Sequence, residues 1–420
     1  MNYNWQEKKL GDLLSILTDY HANGSYKKLK ENVTLLDKPE YAVMIRTKNF
    51  EQNDFLSDLK YINKHAYDFL KKSKVYPGDI LMNKIANAGS VYFMPELKRP
   101  VSLAMNLFLL RVDQEYANQR YIYYYLKANE KYVKSFAIGV ATNTITKENV
   151  RNLVINLPKK SNQRKIVAIL SAYDNLIENN TRRIQILEEM AQRIYKEWFV
   201  DFKYPGHEND QMIDSDLGMI PEGWEAGKLD MIARLVKNKY DDQLHSNFPL
   251  LDLSRIPRKS NSISDFGESN EITTARIIFK KSNILFGAIR PYFHKVVYCP
   301  NDGITNSSVF VIENRDGFSN MYLFSNLFSK STVKWASQHS GGTKMPVIGW
   351  SVFKNMPVII PRTEILIKFD QILNPMLQKI SNFVHKNQNL KKTRSLLLPK
   401  LISGKRDVSD LDIDTSILND

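Results

Sequence analysis

Asn152-Leu153-Val154-Ile155-Asn156-Leu157-Pro158 closes one stretch of this chain, and Asn355-Met356-Pro357-Val358-Ile359-Ile360-Pro361 closes another with the same cadence. Each is preceded by a glycine, Gly139 and Gly342, at a matching distance, and followed by a long segment of helical periodicity. Working outward, Gly78-Asp79-Ile80-Leu81 returns as Ser282-Asn283-Ile284-Leu285. Trp5-Gln6-Glu7-Lys8-Lys9-Leu10 returns as Trp224-Glu225-Ala226-Gly227-Lys228-Leu229. The offset drifts along the copies, as loops of different length inside each would make it do. The chain is therefore an internal duplication.

Each copy begins with short apolar runs, Tyr41–Ile45 and Leu107–Val112 in the first and Val309–Ile312 in the second, which read as buried strands. A long helix then follows the closing proline. The first is expected over about 161–202, with Ser161 as its N-cap. Ile166, Leu170, Tyr173, Ile177, Asn180, Ile184, Leu187, Ala191, Ile194 and Trp198 alternate along it at spacings of four and three, a sustained heptad seam. The second is expected over about 364–402, with Phe369, Leu373, Met376, Ile380, Phe383, Asn387, Leu390, Leu397 and Leu401 on the same rows. Pro375 inside it predicts a kink or a break.

An apolar seam needs a partner, and the two helices of one chain suit each other. The domain between them lets the chain run up one and return down the other. The expected fold is α+β: two duplicated α/β domains separated by two long helices forming an antiparallel coiled coil, with pseudo-two-fold symmetry. Asn180 and Asn387 on the seam set its register. The expected boundaries are 1–158 and 207–361 for the domains, 159–206 and 362–406 for the helical spacers, and 407–420 for an acidic tail.

Composition narrows the function. The 420 residues carry a net charge of +14, which favours a polyanion partner. No apolar run approaches the roughly 20 residues that span a bilayer, and Met1–Lys9 has no signal-peptide character, so a cytoplasmic protein with no membrane partner is expected. A single cysteine, Cys299, excludes an intramolecular disulfide and a cysteine-rich metal site. Gly404-Lys405-Arg406 lacks the upstream glycine and the hydroxyl of a phosphate-binding loop. Asn374-Pro375-Met376 does not fit the Asn/Asp-Pro-Pro-aromatic tetrad of adenine methyltransferases, and the seven histidines form no zinc spacing. No catalytic constellation is recognisable, so the chain is read as a non-enzyme without a catalytic residue or metal of its own.

One ordered series of segments carries a family resemblance. It runs Asn162-Gln163-Arg164-Lys165-Ile166, Asp174-Asn175-Leu176-Ile177-Glu178-Asn179-Asn180, Ile186-Leu187-Glu188-Glu189-Met190-Ala191, Trp198-Phe199-Val200-Asp201-Phe202, Leu217-Gly218-Met219-Ile220-Pro221-Glu222-Gly223-Trp224 and Leu398-Pro399-Lys400-Leu401-Ile402-Ser403-Gly404. In this order the series resembles the specificity subunit of type I restriction-modification enzymes. The resemblance implies two target-recognition domains, each reading half of a split double-stranded DNA sequence. It also implies helical spacers that bind two methyltransferase subunits, with restriction and translocase subunits joining in the full complex. S-adenosylmethionine, ATP and magnesium would then belong to those partners, with no cofactor in this chain.

Candidate DNA contacts follow from residue chemistry, because Arg and Lys hold phosphates, Arg forks onto guanine, and small polar side chains reach base edges. In the second copy they are Arg290, Tyr292, Lys295 and Lys344; His294 reads more readily as structural. In the first copy they are Lys84, Asn87, Ser90, Thr142, Asn143 and Thr144, for which an ordinary polar loop is the alternative. Trp198, Phe199 and Phe202 are too apolar for a free helix end, and serve either as a partner-docking surface or as core against the second helix. Two other readings stay open: a coiled-coil scaffold whose basic charge is incidental, and a nuclease whose carboxylates meet only in three dimensions.

Overall fold

The computed structural model describes residues 5–416 except 53, 57, 140, 141, 246, 264, 273 and 274, so the last four residues of the expected tail lie outside it. The chain divides into two compact units, residues 1–174 with 393–420, and residues 175–392. Each is built on a four-stranded antiparallel sheet of the same order. In the first unit the order is Leu14–Asp19, Leu107–Val112, Ile80–Asn83, Val91–Phe93. In the second it is Ala233–Leu235, Val309–Asn314, Ile284–Gly287, Val296–Tyr298. The central strands Ile80–Asn83 and Ile284–Gly287 are buried at every position, which is why they read as continuous apolar runs rather than alternating ones.

The duplication extends to backbone detail. Gly78 and Ser282 both take left-handed φ, 87° and 74°, just before these strands. The next residue then accepts a hydrogen bond from the backbone three residues earlier: Tyr76 N to Asp79 Oδ2 and Lys280 N to Asn283 Oδ1, both 2.7 Å. The opening strand of each copy pairs with its closing one, Gln6–Lys9 with Val154–Leu157 and Glu225–Lys228 with Pro357–Ile360. A tyrosine hydroxyl caps each closure, Tyr121 donating to Asn156 O at 3.0 Å and Tyr322 to Ile359 O. The copies differ beside the main sheet. The first has a second four-stranded sheet, in which Ala42–Ile45 pairs parallel with Val101–Leu103; in the second, among the described residues, the pair Arg276–Phe279 with Gly303–Asn306 stands there, joined by single bridges from Lys239 and Leu250.

The long helices are Lys160–Phe199 and Thr363–Ile402. The first begins one residue ahead of Ser161 and ends three short of Phe202, which turns left-handed at φ 58°. Pro375 does not break the second helix. Within the second unit the pair is antiparallel: Asn180 meets Asn387, and Trp198 meets Phe369 at 5.7 Å between rings. The seam residues Ile184, Ala191, Trp198, Phe369, Leu373, Met376 and Ile380 are buried there in the same core as the sheet. In the first unit Ile166 and Leu170 join Leu401 in the core beneath that domain. There Asp174 pairs with Arg394 and accepts from Tyr124 Oη at 2.5 Å. Arg394, which interrupts the apolar seam, is thereby neutralised.

Candidate nucleic-acid interface

Past the end of each central strand the chain makes a turn that departs from ordinary backbone geometry. In the first copy Ala86 and Gly89 are left-handed, φ 66° and 88°. In the second their counterparts Arg290 and His294 are, φ 50° and 53°. A left-handed residue with a side chain costs roughly 1–2 kcal/mol, so the surroundings must impose it. They do so identically in both copies. Ala86 N donates to Asn143 O at 2.9 Å, and Arg290 N to Pro346 O at 2.7 Å. Ile145 N donates to Lys84 O and Ile348 N to Ala288 O, both at 3.0 Å. The turn is thus zipped to a second loop, itself a small hairpin closed by Ile138 and Thr144 in one copy and by Gly341 and Val347 in the other. Gly139 is required: a Cβ there would lie 2.2 Å from Thr142 O. Two loops, fixed by backbone bonds, stand together at the end of each sheet.

The sequence candidates fall into two groups on this frame. Asn87, Thr142, Asn143 and Thr144 are exposed on the paired loops of the first copy, and Tyr292 and Lys344 on those of the second. Arg290 is half-buried, its Nη2 donating to Lys344 O at 3.2 Å, which ties the two loops by a side chain as well.

The other group is corrected by its partners. Lys84 is spent on Asp19, Nζ to Oδ2 2.7 Å, with little of either side chain exposed. Lys147 pairs with the other oxygen at 2.9 Å. Burial alone would raise the Asp19 carboxyl, but the two ammonium groups hold it below its usual range. Ser90 is buried and donates to Glu130 at 2.7 Å. Glu130 stays ionised, near pKa 2, because bonds from Lys134 and Ser90 outweigh its burial. Lys295 donates to Leu253 O, and burial, then the nearby Arg258, push its ammonium below the usual value. His294 is buried against Phe328 O, and burial lowers it likewise. Trp198 and Phe199 are core side chains against Phe369 and Tyr322, and Phe202 packs edge-on to Trp224, so burial leaves the first two no surface for a partner.

One residue escaped the sequence reading. Arg258 is exposed, and its guanidinium carbon lies 3.8 Å from the centroid of the Phe293 ring. The signal was a basic pair, Arg258-Lys259, after Pro257, but its aromatic partner is 35 positions away and invisible to spacing.

A repeated α+β domain with zipped surface loops and a long helix after each copy defines a tandem recognition architecture. No group of side chains that would hold a metal occurs among the described residues, and none of the described helices is long and apolar enough to cross a membrane. The chain belongs to the family described as type I restriction modification DNA specificity domain, whose family model matches residues 2–189 and 221–394. It is similar to the type I restriction enzyme MjaIX specificity subunit of Methanocaldococcus jannaschii, 26% identical over 358 residues and 80% of each chain. It is also similar to the HindI specificity subunit of Haemophilus influenzae, 22% identical with 96% of this chain and 99% of that one covered. The fold is shared with the crystal structure of a type I restriction-modification S subunit from M. genitalium, with TM-score 0.55 at 15% identity over 95% of this chain and 96% of that one. The chain is thus a specificity subunit, the DNA-recognition and non-catalytic component of a type I restriction-modification system.

Proposed function

We propose that the chain reads a bipartite duplex site, one half with each zipped loop pair, and directs two methyltransferase subunits to it. Restriction and translocase subunits join in the full cytoplasmic complex, and S-adenosylmethionine, ATP and magnesium are theirs. The observation that carries the reading is the recurrence of the loop pair. Two copies with the same backbone bonds but different exposed side chains suit one task performed on two different sequences. Asn87, Thr142, Asn143 and Thr144 supply hydrogen-bonding groups to one half-site, and Arg290, Tyr292 and Lys344 supply cationic and aromatic groups to the other.

The test is methylome sequencing of a methylation-free host carrying the cognate methyltransferase subunit, with and without this chain. A split motif with a fixed gap, present only with the chain, is the expected result. A soluble complex that leaves no new modification would favour the scaffold reading instead.

A further inference from the structure

We infer that Arg258 reads a guanine in the half-site of the second domain, its guanidinium oriented in advance by stacking on Phe293. The inference rests on the bipartite DNA reading and adds one base and one residue to it. Several arginines here are occupied by acids: Arg255, three residues earlier, is bound to Asp252 and Glu271, and Arg46, Arg111, Arg234, Arg362 and Arg394 each have a carboxylate partner. Arg258 has neither an ion pair nor a hydrogen bond among the described residues, yet it is not loose. Its guanidinium carbon lies over the Phe293 ring, 3.8 Å from the centroid, and that of Arg290 approaches the same ring at 5.8 Å.

The backbone around Arg258 is held on both sides. Lys259 is left-handed at φ 55° and its N donates to His294 O at 2.8 Å, which joins this segment to the turn bearing Arg290 and Tyr292. Two residues on, Asn261 N and Ser260 Oγ both donate to the Glu188 carboxylate on the first long helix. A stacked guanidinium has used its face and kept its edge. That edge carries parallel N–H donors in a rigid fork, the complement of guanine O6 and N7 in the major groove. A phosphate accepts the same fork but needs only the charge, so a lysine would serve it as well. Holding the fork ready lowers the entropy lost on contact, which is the reason to stack it before DNA arrives.

The experiment uses the full chain with its methyltransferase subunit. Wild type, Arg258→Lys, Arg258→Gln and Phe293→Leu are compared by methylome sequencing and by competition binding to duplexes. In these duplexes each guanine of the motif is replaced in turn by 7-deazaguanine, which lacks the N7 acceptor. The expected result is one guanine, in one half-site, whose replacement weakens wild-type binding about tenfold to a hundredfold. That discrimination is lost in Arg258→Gln and reduced in Arg258→Lys and Phe293→Leu, with the other half-site unchanged. Arg258 is exposed, so its variants should keep the wild-type melting temperature. An Arg258→Gln variant that weakens binding to all duplexes alike while keeping the discrimination would reassign the contact to a phosphate and overturn the inference, as would an unchanged motif in that variant. A wild-type chain that yields no split motif sinks the bipartite reading separately. Selection from randomised duplexes then judges the guanine contact, and an identical preference in wild type and Arg258→Gln overturns it.

Discussion

Asn180 and Asn387 face each other inside the second unit, 8% and 6% exposed, with Asn180 Nδ2 donating to Asn387 Oδ1 at 2.9 Å. Among the described residues the Asn180 side chain makes that bond alone, whereas Asn387 Nδ2 also reaches Thr181 Oγ1 at 3.3 Å and Ile177 O at 3.4 Å. Replacing either by leucine gains apolar burial and strands the other amide, at roughly 1–3 kcal/mol for an unsatisfied buried group. Asn387→Leu strands Asn180 completely, so it should be the worse of the two; Asn180→Leu leaves Asn387 its longer contacts. The double variant strands nothing and completes the apolar seam. It should exceed either single variant by about 1–3 kcal/mol, and reach wild-type stability or better. Urea unfolding followed by tryptophan fluorescence reads this, because Trp198 packs on Phe369 of the same helix pair. A double variant whose effect equals the sum of the singles within about 0.5 kcal/mol would refute the coupling. The double variant should also slip register more readily, which crosslinking of cysteines placed across the seam would detect.

Three further outcomes follow from the same structure. Burial raises Glu188 from 4.5 to about 7, against the bonds it accepts from Asn261 and Ser260. A carboxyl raised in the fold contributes stability that is full below its unfolded value of 4.5 and lost as pH climbs to about 7. The loss is at most about 3 kcal/mol, and Glu188→Gln should flatten the melting temperature across that window; a variant whose pH profile still falls as wild type does would exclude Glu188 as the cause. Lys84→Met should destabilise the first unit by about 1–3 kcal/mol, because Asp19 loses one of its two cations and keeps Lys147 and the Ala22 N–H, while leaving the salt dependence of DNA binding unchanged; a reduced salt slope would restore Lys84 as a phosphate contact. Lys344→Gln, by contrast, removes an exposed cation and should lower the slope of log K against log salt by about one, with stability unchanged; titrations at several salt concentrations that give the wild-type slope would remove it from the interface.

The duplication, the helices and their pairing are legible along the chain alone. These rest on periodicity, and a period of 3.5 with asparagine on matching rows survives in one dimension. The closing strands, the central strands and the Asn180–Asn387 meeting lie where the repeat put them. The segments of the specificity-subunit series were legible for the same reason, since their order along the chain carries the information. Tertiary structure alone decided which polar side chains are free. Lys84 and Thr142 look equally available in sequence, but Asp19, 65 positions from Lys84, claims the first, whereas the second is exposed with no side-chain bond to it among the described residues. Trp198 and Phe199 gave two readings until Phe369 and Tyr322, far along the chain, covered them. Arg258 gave none until Phe293 came beneath it. A side chain's availability depends on its neighbours in space, and partners brought together by folding leave no periodic trace in the chain.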